Sequence, residues 1–271
     1  MSVTNQSKRR GTILDEIMKY HREQLPKIKR GVPLEDLRAF ASVTQPALDF
    51  YAALQKSGVS LIAECKKASP SKGLMVRDYD PVQIAKTYER AGASAISVLT
   101  DGRHFQGNLA HLRDVKESVR VPVLRKDFVF DPYQVYEARV AGADAILLIA
   151  AVLSGKEIQS LLKLTHNLGM NALVEVHTDE ELDMVLPLQP RIIGVNNRNL
   201  QTFEVDFANT ARLRDRIPSE IVTVGESGLK TSQDVRQMAH IGVDAILVGE
   251  TLVRAKDMYG TAVSFVKAGR K

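Results

Sequence analysis

Charged and amide side chains end several apolar runs of this chain. Leu61-Ile62-Ala63 leads into Glu64, Cys65 and Lys66, and Val123-Leu124 leads into Arg125, Lys126 and Asp127. Leu173-Val174 leads into Glu175, Val195 into Asn196 and Arg198, and Val224 into Gly225 and Glu226. Side chains alternate along a strand. Glu64 and Lys66 therefore share a face with Ile62, Lys126 shares one with Phe128, and Asn196 shares one with Arg198, while Cys65 and Arg125 point the other way. A lone Glu or Lys at such a place is an ordinary ion pair or rim residue. Three carboxylates, two lysines and an arginine converging on one surface must compensate one another, because buried unpaired charge is costly. Such a set shifts pKa values and suits proton transfer.

Two glycine turns add a second kind of chemistry. Gly225-Glu226-Ser227-Gly228-Leu229 and Leu247-Val248-Gly249-Glu250 each follow an apolar run, the second at a helix start. Backbone N–H groups of such turns, with a helix N-terminus, hold phosphate. Other signals are weaker. His177 is read as a surface residue of the opposite parity to Glu175, and the six histidines do not pair at ligand spacing, so no metal site is expected. Ser69-Pro70-Ser71-Lys72-Gly73 is turn-like and suits a mobile loop that closes on substrate.

The elements that must position these residues are marked by an internal repeat. AGASAISVLT, AGADAILLIA and IGVDAILVGE place Gly92, Gly142 and Gly242 at multiples of 50 residues. Each copy reads as a helix end, a glycine turn and a buried parallel strand, and a period of that length holds two strand–helix units of ~25 residues each. The strands are expected near 60–66, 94–99, 122–127, 144–149, 171–176, 191–196, 221–226 and 244–249. Helical stretches lie between them, several opening with Asp, Ser or Thr as N-cap and two with Pro at the first position. Eight alternating units imply an α/β fold, a (β/α)8 TIM barrel, over a doubly wound sheet, whose first turn should carry a GxGxxG loop that is absent here. Residues 1–59 read as an N-terminal helical extension of three amphipathic helices, TILDEIMKYHREQLP, LEDLRAF and ALDFYAALQK, and 60–271 as the barrel. With no linker between them, 1–271 is expected to be a single domain.

Composition agrees with a cytoplasmic enzyme. The 271 residues are 44% apolar and 25% charged, with no membrane-length apolar run and no secretory leader. One cysteine, Cys65, excludes an internal disulfide framework. The net charge of +5 resides in residues 1–30, which hold eight basic and three acidic side chains. That segment is read as a solvated basic helix rather than a nucleic-acid face.

The blocks IAECKKASPSKG (62–73), VLRKDFVFDPYQVYEARVAGADAILLIAAVL (123–153), LVEVHTDEEL (173–182), IGVNNRNLQTFEVD (193–206) and VGESGL (224–229) resemble, in order and spacing, those of the indole-3-glycerol phosphate synthase family. The resemblance covers essentially the whole chain. It implies a lyase of tryptophan biosynthesis that closes the indole ring of 1-(2-carboxyphenylamino)-1-deoxyribulose 5-phosphate by decarboxylation and dehydration, without metal or organic cofactor. It further implies that Lys126 is the general acid, that Glu175 acts in proton transfer during dehydration, and that Glu64 and Asn196 orient the lysine and the substrate hydroxyls. Lys66 would contact the substrate's anionic groups and assist dehydration. Ser69 and Arg198 would hold the aromatic part and its carboxylate, with Phe128 and Leu147 as apolar walls. Glu226, Ser227, Gly228, Gly249 and Glu250 match the distal mouth and phosphate turns. Glu250 departs from members with Ser there, so its backbone N–H would serve the phosphate. The expected partner is a small phosphorylated substrate, with no nucleic acid and no membrane, acting on a monomer or weak homo-oligomer. The alternatives are another phosphosugar barrel enzyme, such as phosphoribosylanthranilate isomerase, and a non-catalytic nucleic-acid-binding protein using the basic N-terminus.

Overall fold

The computed structural model describes residues 12–198 and 205–270. Eight parallel strands close into a barrel in sequence order. They are β1 (Ser60–Cys65), β2 (Ala95–Leu99), β3 (Val123–Lys126), β4 (Ala145–Ile149), β5 (Asn171–Val176), β6 (Ile192–Asn196), β7 (Val222–Glu226) and β8 (Ala245–Val248). The expected strands stand within a residue or so of these bounds. Before them run α1 (Ile13–Gly31), α2 (Leu34–Val43) and α3 (Phe50–Leu54); around them run α4 (Pro81–Arg90), α5 (Gly102–Phe105), α6 (Leu109–Ser118), α7 (Pro132–Val140), α8 (Gly155–Asn167), α9 (Asp179–Val185), α10 (Ala208–Arg214), α11 (Ser232–Ile241), α12 (Glu250–Val253) and α13 (Met258–Gly269). Among the described residues, no helix is long and apolar enough to cross a membrane.

The local rules hold where they were applied. Gly92, Gly142 and Gly242 end α4, α7 and α11 in the left-handed region, at φ of 94°, 89° and 84°. Asp80, Asp131, Ser154, Thr178 and Thr231 cap their helices through side-chain oxygens, and Pro81 and Pro132 occupy first positions. The repeat also has a structural purpose at its fourth position. Asp144 accepts the Val123 N–H at 2.7 Å, and Asp244 accepts the Thr223 N–H at 2.8 Å, so each repeat aspartate ties down the preceding strand.

Several elements differ from expectation, the short α5 among them. Helix α1 continues through Pro26 to Gly31 instead of ending at the proline. Pro26 is exposed, so water can satisfy the carbonyl it frees, while buried Leu25 and the Lys29–Asp131 ion pair hold the helix on the barrel. The loop after β1 contains a small hairpin, Ala68–Ser69 against Gly73–Leu74. The final helix α13, absent from the expected set, buries Ala262 and Phe265, and its Gly269 carbonyl accepts the Val59 N–H just before β1.

Inward side chains of the strands form one apolar core, and Phe50 and Leu54 of α3 close its lower end. Outward side chains form another beneath the helices. The extension is fastened to both ends of the barrel. At the lower end, the Asp144 carboxylate accepts the Leu48 N–H at 2.7 Å and is paired with Lys116 at 2.6 Å. At the upper end, His21 Nε2 meets Asp101 Oδ2 at 2.7 Å. Asp101 is buried, which opposes its ionisation, yet hydrogen bonds with His21 and His104 hold it down at about 2.

Asp144 gathers the N–H groups of Leu48 and Val123 and the ammonium of Lys116 on one fully buried carboxylate. Asp144→Ala removes the bonds to all three groups and leaves Lys116 unpaired. Thermal and urea denaturation should show a loss on the order of 3 kcal/mol, against a few tenths for an exposed control such as Glu220→Ala. Equal melting temperatures would show that the extension and the strand start are held elsewhere.

Candidate active site

Four alternate strands carry a large apolar residue facing inward, and two positions further on a charged one. Ile62 precedes Glu64, Leu124 precedes Lys126, Leu173 precedes Glu175, and Val224 precedes Glu226. In a barrel, side chains of alternate strands share a level. The apolar plug is therefore capped by a layer of three carboxylates and one ammonium, at the C-terminal ends of the strands. Lys126 Nζ lies 3.1 Å from Glu175 Oε2 and 3.8 Å from Glu226 Oε2. Asn196 donates to Glu175 Oε1 at 3.2 Å, and Lys66 pairs with Glu64 at 2.6 Å.

Above this layer opens a cavity of about 800 Å3. All fourteen residues singled out from the sequence line it: Glu64, Lys66, Ser69, Lys126, Phe128, Leu147, Glu175, Asn196, Arg198, Glu226, Ser227, Gly228, Gly249 and Glu250. Cys65 and Arg125 face outward as parity requires. Cys65 Sγ lies near the Pro81 carbonyl, and Arg125 pairs with Asp127 and Glu137 at 3.0 and 2.8 Å. One wall is apolar, formed by Phe128, Leu147, Leu99 and Phe105, with Ile13, Leu14 and Ile17 reaching in from α1. The opposite side holds the two glycine turns. Ser227 and Gly228 are both left-handed, at φ of 65° and 86°, a conformation that is uncommon for a serine. Thr251 donates to the Leu229 carbonyl at 2.6 Å, which joins the turn after β7 to helix α12.

The assignment of His177 to the surface is corrected. Residues 175 and 177 share parity, and the ring continues the inward face of β5, 10% exposed. Its Nε2 stands 3.3 Å from Glu175 Oε1, an ion-pair contact outside hydrogen-bond geometry, and its Nδ1 stands 3.2 Å from Glu181. Counting two residues on from Glu175 was the signal available. Lys72 and Arg254 are further additions. With Arg198 they stand 3.6–3.8 Å from the Glu250 carboxylate. Exposed pairs of this kind contribute little stability, but they keep positive charge beside the turns. The i,i+4 spacing of Glu250 and Arg254 was legible in the sequence.

The titration behaviour follows from this crowding. Burial alone would lower the Lys126 ammonium, yet the charges of Glu175, Glu226 and Glu64 outweigh it and hold the pKa above its ordinary value. Burial would raise Glu175, but Lys126, His177 and Asn196 hold it well below the carboxylate range. Burial would likewise lower His177, but Glu175 and Glu181 push it up to about 10. Glu226 goes the other way: burial first, then the Glu175 charge, push it up to about 8, and its Oε1 has no hydrogen-bond partner. At neutral pH the layer thus holds ionised Glu175, protonated Glu226 and a charged lysine.

The chain matches the family model described as indole-3-glycerol phosphate synthase over residues 14–264. Relatives of that name include one from Dehalococcoides mccartyi (strain CBDB1), 50% identical and covering 91% of this chain and 96% of that protein. Another, from Lactiplantibacillus plantarum, is 44% identical over 95% and 98%, and one from Mycobacteroides abscessus is 46% identical over 96% and 95%. Among solved structures, 3-hexulose-6-phosphate synthase from Salmonella typhimurium is 14% identical at a TM-score of 0.60, covering 78% of this chain and 98% of that one. Thiamine phosphate pyrophosphorylase from Pyrococcus furiosus is 15% identical at 0.59, over 78% and 95%. At such identities the structural likeness is one of fold alone.

Glu226 supplies a test of these electrostatics. Its carboxyl is raised in the folded chain, so the native state binds a proton that the unfolded state has released. Stability on its account is full below the unfolded value near 4.5 and is lost as pH rises toward about 8. Glu226→Gln keeps the shape and removes the titration. Its melting temperature relative to the parent should climb steadily between pH 5 and pH 8. A difference that is flat with pH would show that Glu226 is ionised in the folded chain.

Proposed function

The chain belongs to the indole-3-glycerol phosphate synthase family, and on that premise we propose that it closes the indole ring of 1-(2-carboxyphenylamino)-1-deoxyribulose 5-phosphate, with Lys126 as general acid. The product is indole-3-glycerol phosphate, and carbon dioxide and water leave. The observation that carries this reading is the Lys126 ammonium, held 3.1 Å from Glu175 on the floor of the cavity, between an apolar wall and an end built of two glycine turns.

The apolar wall of Phe128 and Leu147 suits the carboxyphenyl ring, and Arg198 and Ser69 its carboxylate. The turns at Ser227, Gly228, Gly249 and Glu250 suit the phosphate at the other end, with positive charge from Lys72 and Arg254 nearby. The Glu250 carboxylate repels an anion, so its N–H at the start of α12 does the binding and its side chain collects the cations. A substrate spanning the two ends lays its ribulose carbonyl over Lys126.

Ring attack on that carbonyl develops an alkoxide, which the ammonium stabilises and then protonates. The raised pKa of Lys126 is no obstacle, because an alkoxide is more basic still. Decarboxylation restores aromaticity. Loss of the hydroxyl then needs a base and an acid. Glu175, ionised and steadied by Asn196 and the charged His177, serves as the base. Lys66, held by Glu64, serves as the acid. His177 keeps its proton throughout the neutral range, so it positions Glu175 instead of exchanging protons. No metal or organic cofactor enters these steps. We place the enzyme in the cytoplasm as a monomer or weak homo-oligomer.

Lys126→Ala should lower kcat by ~10²–10⁴-fold while the folded protein still binds a substrate analogue. Lys126→Arg should restore little, since a planar guanidinium cannot place one compact donor at the point where Glu175 and Glu226 converge. Arg125→Ala should leave kcat within about tenfold and instead lower the melting temperature, because it strands Asp127 and Glu137. Indole fluorescence reads the reaction directly, as the chain contains no tryptophan. A dead Arg125→Ala enzyme beside an active Lys126→Ala one would overturn the assignment.

The phosphate end is tested separately. A dephosphorylated substrate loses one or two charge-assisted hydrogen bonds and should bind roughly 10–100-fold more weakly. Equal affinity, measured by competition, would remove the turns from the binding site.

A further inference from the structure

Outside the cavity floor, three metal-ligating side chains meet where α1 lies against the loop after β2. His21 comes from α1, and Asp101 and His104 come from the start of α5. His21 Nε2 is 2.7 Å from Asp101 Oδ2, His104 Nδ1 is 3.1 Å from the same oxygen, and all three atoms lie within 4.8 Å of one another. His21 and Asp101 are 80 residues apart in sequence, so no local spacing announces the cluster.

We propose that His21, Asp101 and His104 bind a borderline divalent transition-metal ion, Zn2+ or Co2+, which fastens helix α1 to the barrel mouth. Two imidazoles and one carboxylate are the donor set such ions take, whereas Mg2+ and Ca2+ call for oxygen ligands. Zn–N and Zn–O bonds of about 2.0–2.2 Å in a tetrahedral arrangement need donors roughly 3.4 Å apart. The two His–Asp separations, 2.7 and 3.1 Å, fall a few tenths of an ångström short of that value, so small side-chain rotations admit the ion. The carboxylate is also held in place to serve as a ligand. Asp101 Oδ1 accepts the backbone N–H groups of His104 and Phe105, which leaves Oδ2 presented to the two rings. Such outer bonds orient a metal ligand. The Asp101 side chain is fully buried, while His21 and His104 are 15% and 13% exposed. The partly exposed rings therefore give an ion access from solvent, from which a water can serve as its fourth ligand. The rings of Phe128 and Tyr20 flank the cluster, 5.4 Å from His21 and 5.6 Å from His104.

The consequence reaches the cavity through one turn of helix. Ile17 lines the cavity, and His21 follows it at i+4 on the same face of α1. An ion on His21 thus anchors the helix whose Ile13, Leu14 and Ile17 form part of the mouth. In metal-free protein the His21–Asp101 hydrogen bond holds the same contact with less strength. None of this depends on the catalytic assignments, and the site is read by binding alone.

The test is calorimetric titration of ZnCl2 into chelator-stripped full-length protein at neutral pH, repeated with CoCl2 while recording the visible spectrum. One ion per chain should bind. His21→Ala and His104→Ala should each weaken binding by at least about tenfold, and His240→Ala should not. Zn2+ should raise the melting temperature of the parent and fail to raise that of His21→Ala. Circular dichroism checks that each variant is folded, and His104→Asn replaces any that is not. The proposal is overturned if no saturable binding appears below about 1 mM, or if both His variants bind as the parent does.

Discussion

A single ammonium among three carboxylates governs the upper half of this barrel. Glu64, Lys126, Glu175 and Glu226 occupy one level because they come from alternate strands with common parity, and closure of the barrel fixes that spacing whatever the side chains are. Charges at such a depth are costly unless paired. The layer resolves its excess of negative charge in three ways. Lys66 takes Glu64, the Lys126 and His177 cations share Glu175, and Glu226 keeps a proton. The same arrangement places a firm ammonium, a strongly ionised carboxylate and a protonated one within a few ångströms of one another on the cavity floor. The pairing of the layer and its titration behaviour have one cause.

Room for these carboxylates is made by backbone, not by side chains. Gly194 faces inward on β6, and a Cβ there would overlap Glu226 Oε1 and press on Leu173. Gly249 lies just past the end of β8, and a Cβ there would overlap Glu64 Oε1 and crowd Lys66 Nζ. Each glycine sits on a strand next to the one carrying the carboxylate it admits. Gly249 was singled out in the sequence for approach to phosphate; its first constraint is the Glu64–Lys66 pair. Gly194 was passed over, since a glycine inside an apolar strand reads as a weakness or a bulge. Its purpose is a neighbour from β7, 32 residues further along the chain, which the strand pairing supplies and a local pattern does not show.

What could be read in the sequence and what could not divide along the same line. Strand positions, glycine turns and helix caps are local, and a repeat at multiples of 50 residues multiplies the signal, so the barrel and its inward set were legible. The charged layer was legible too, because parity is a local property of a strand. His177 was also local and was misassigned only through its parity. Contacts between distant elements were not legible. The Asp101 cluster joins α1 to α5, Asp144 joins the extension to β3 and α6, and Lys72 reaches Glu250 across the mouth. The continuation of α1 through Pro26 belongs with these. A proline ends a helix on local grounds, and only the docking of Leu25 and Lys29 on the barrel carries the helix past it.

Strand β3 shows how tightly inner and outer faces constrain each other. Lys126 is fixed from inside by Glu175 and Glu226. Its neighbour Arg125 is fixed from outside by Asp127 and Glu137, by the Gln134 carbonyl at 3.0 Å and by Thr100 at 3.2 Å. Two cations side by side would seem to leave the register ambiguous, since a slip of one residue exchanges the faces of a strand. The geometry of the partners removes that ambiguity. The outer pocket offers a planar fork's worth of acceptors, two carboxylates and a carbonyl, which a guanidinium can satisfy and an ammonium with three donors on one atom cannot. The inner layer has carboxylates grouped about a single point, which suits an ammonium and would leave part of a guanidinium unpaired in a buried place. The choice of arginine outside and lysine inside therefore acts as a register lock. It sets the one strand whose displacement would remove the Lys126 ammonium from the cavity.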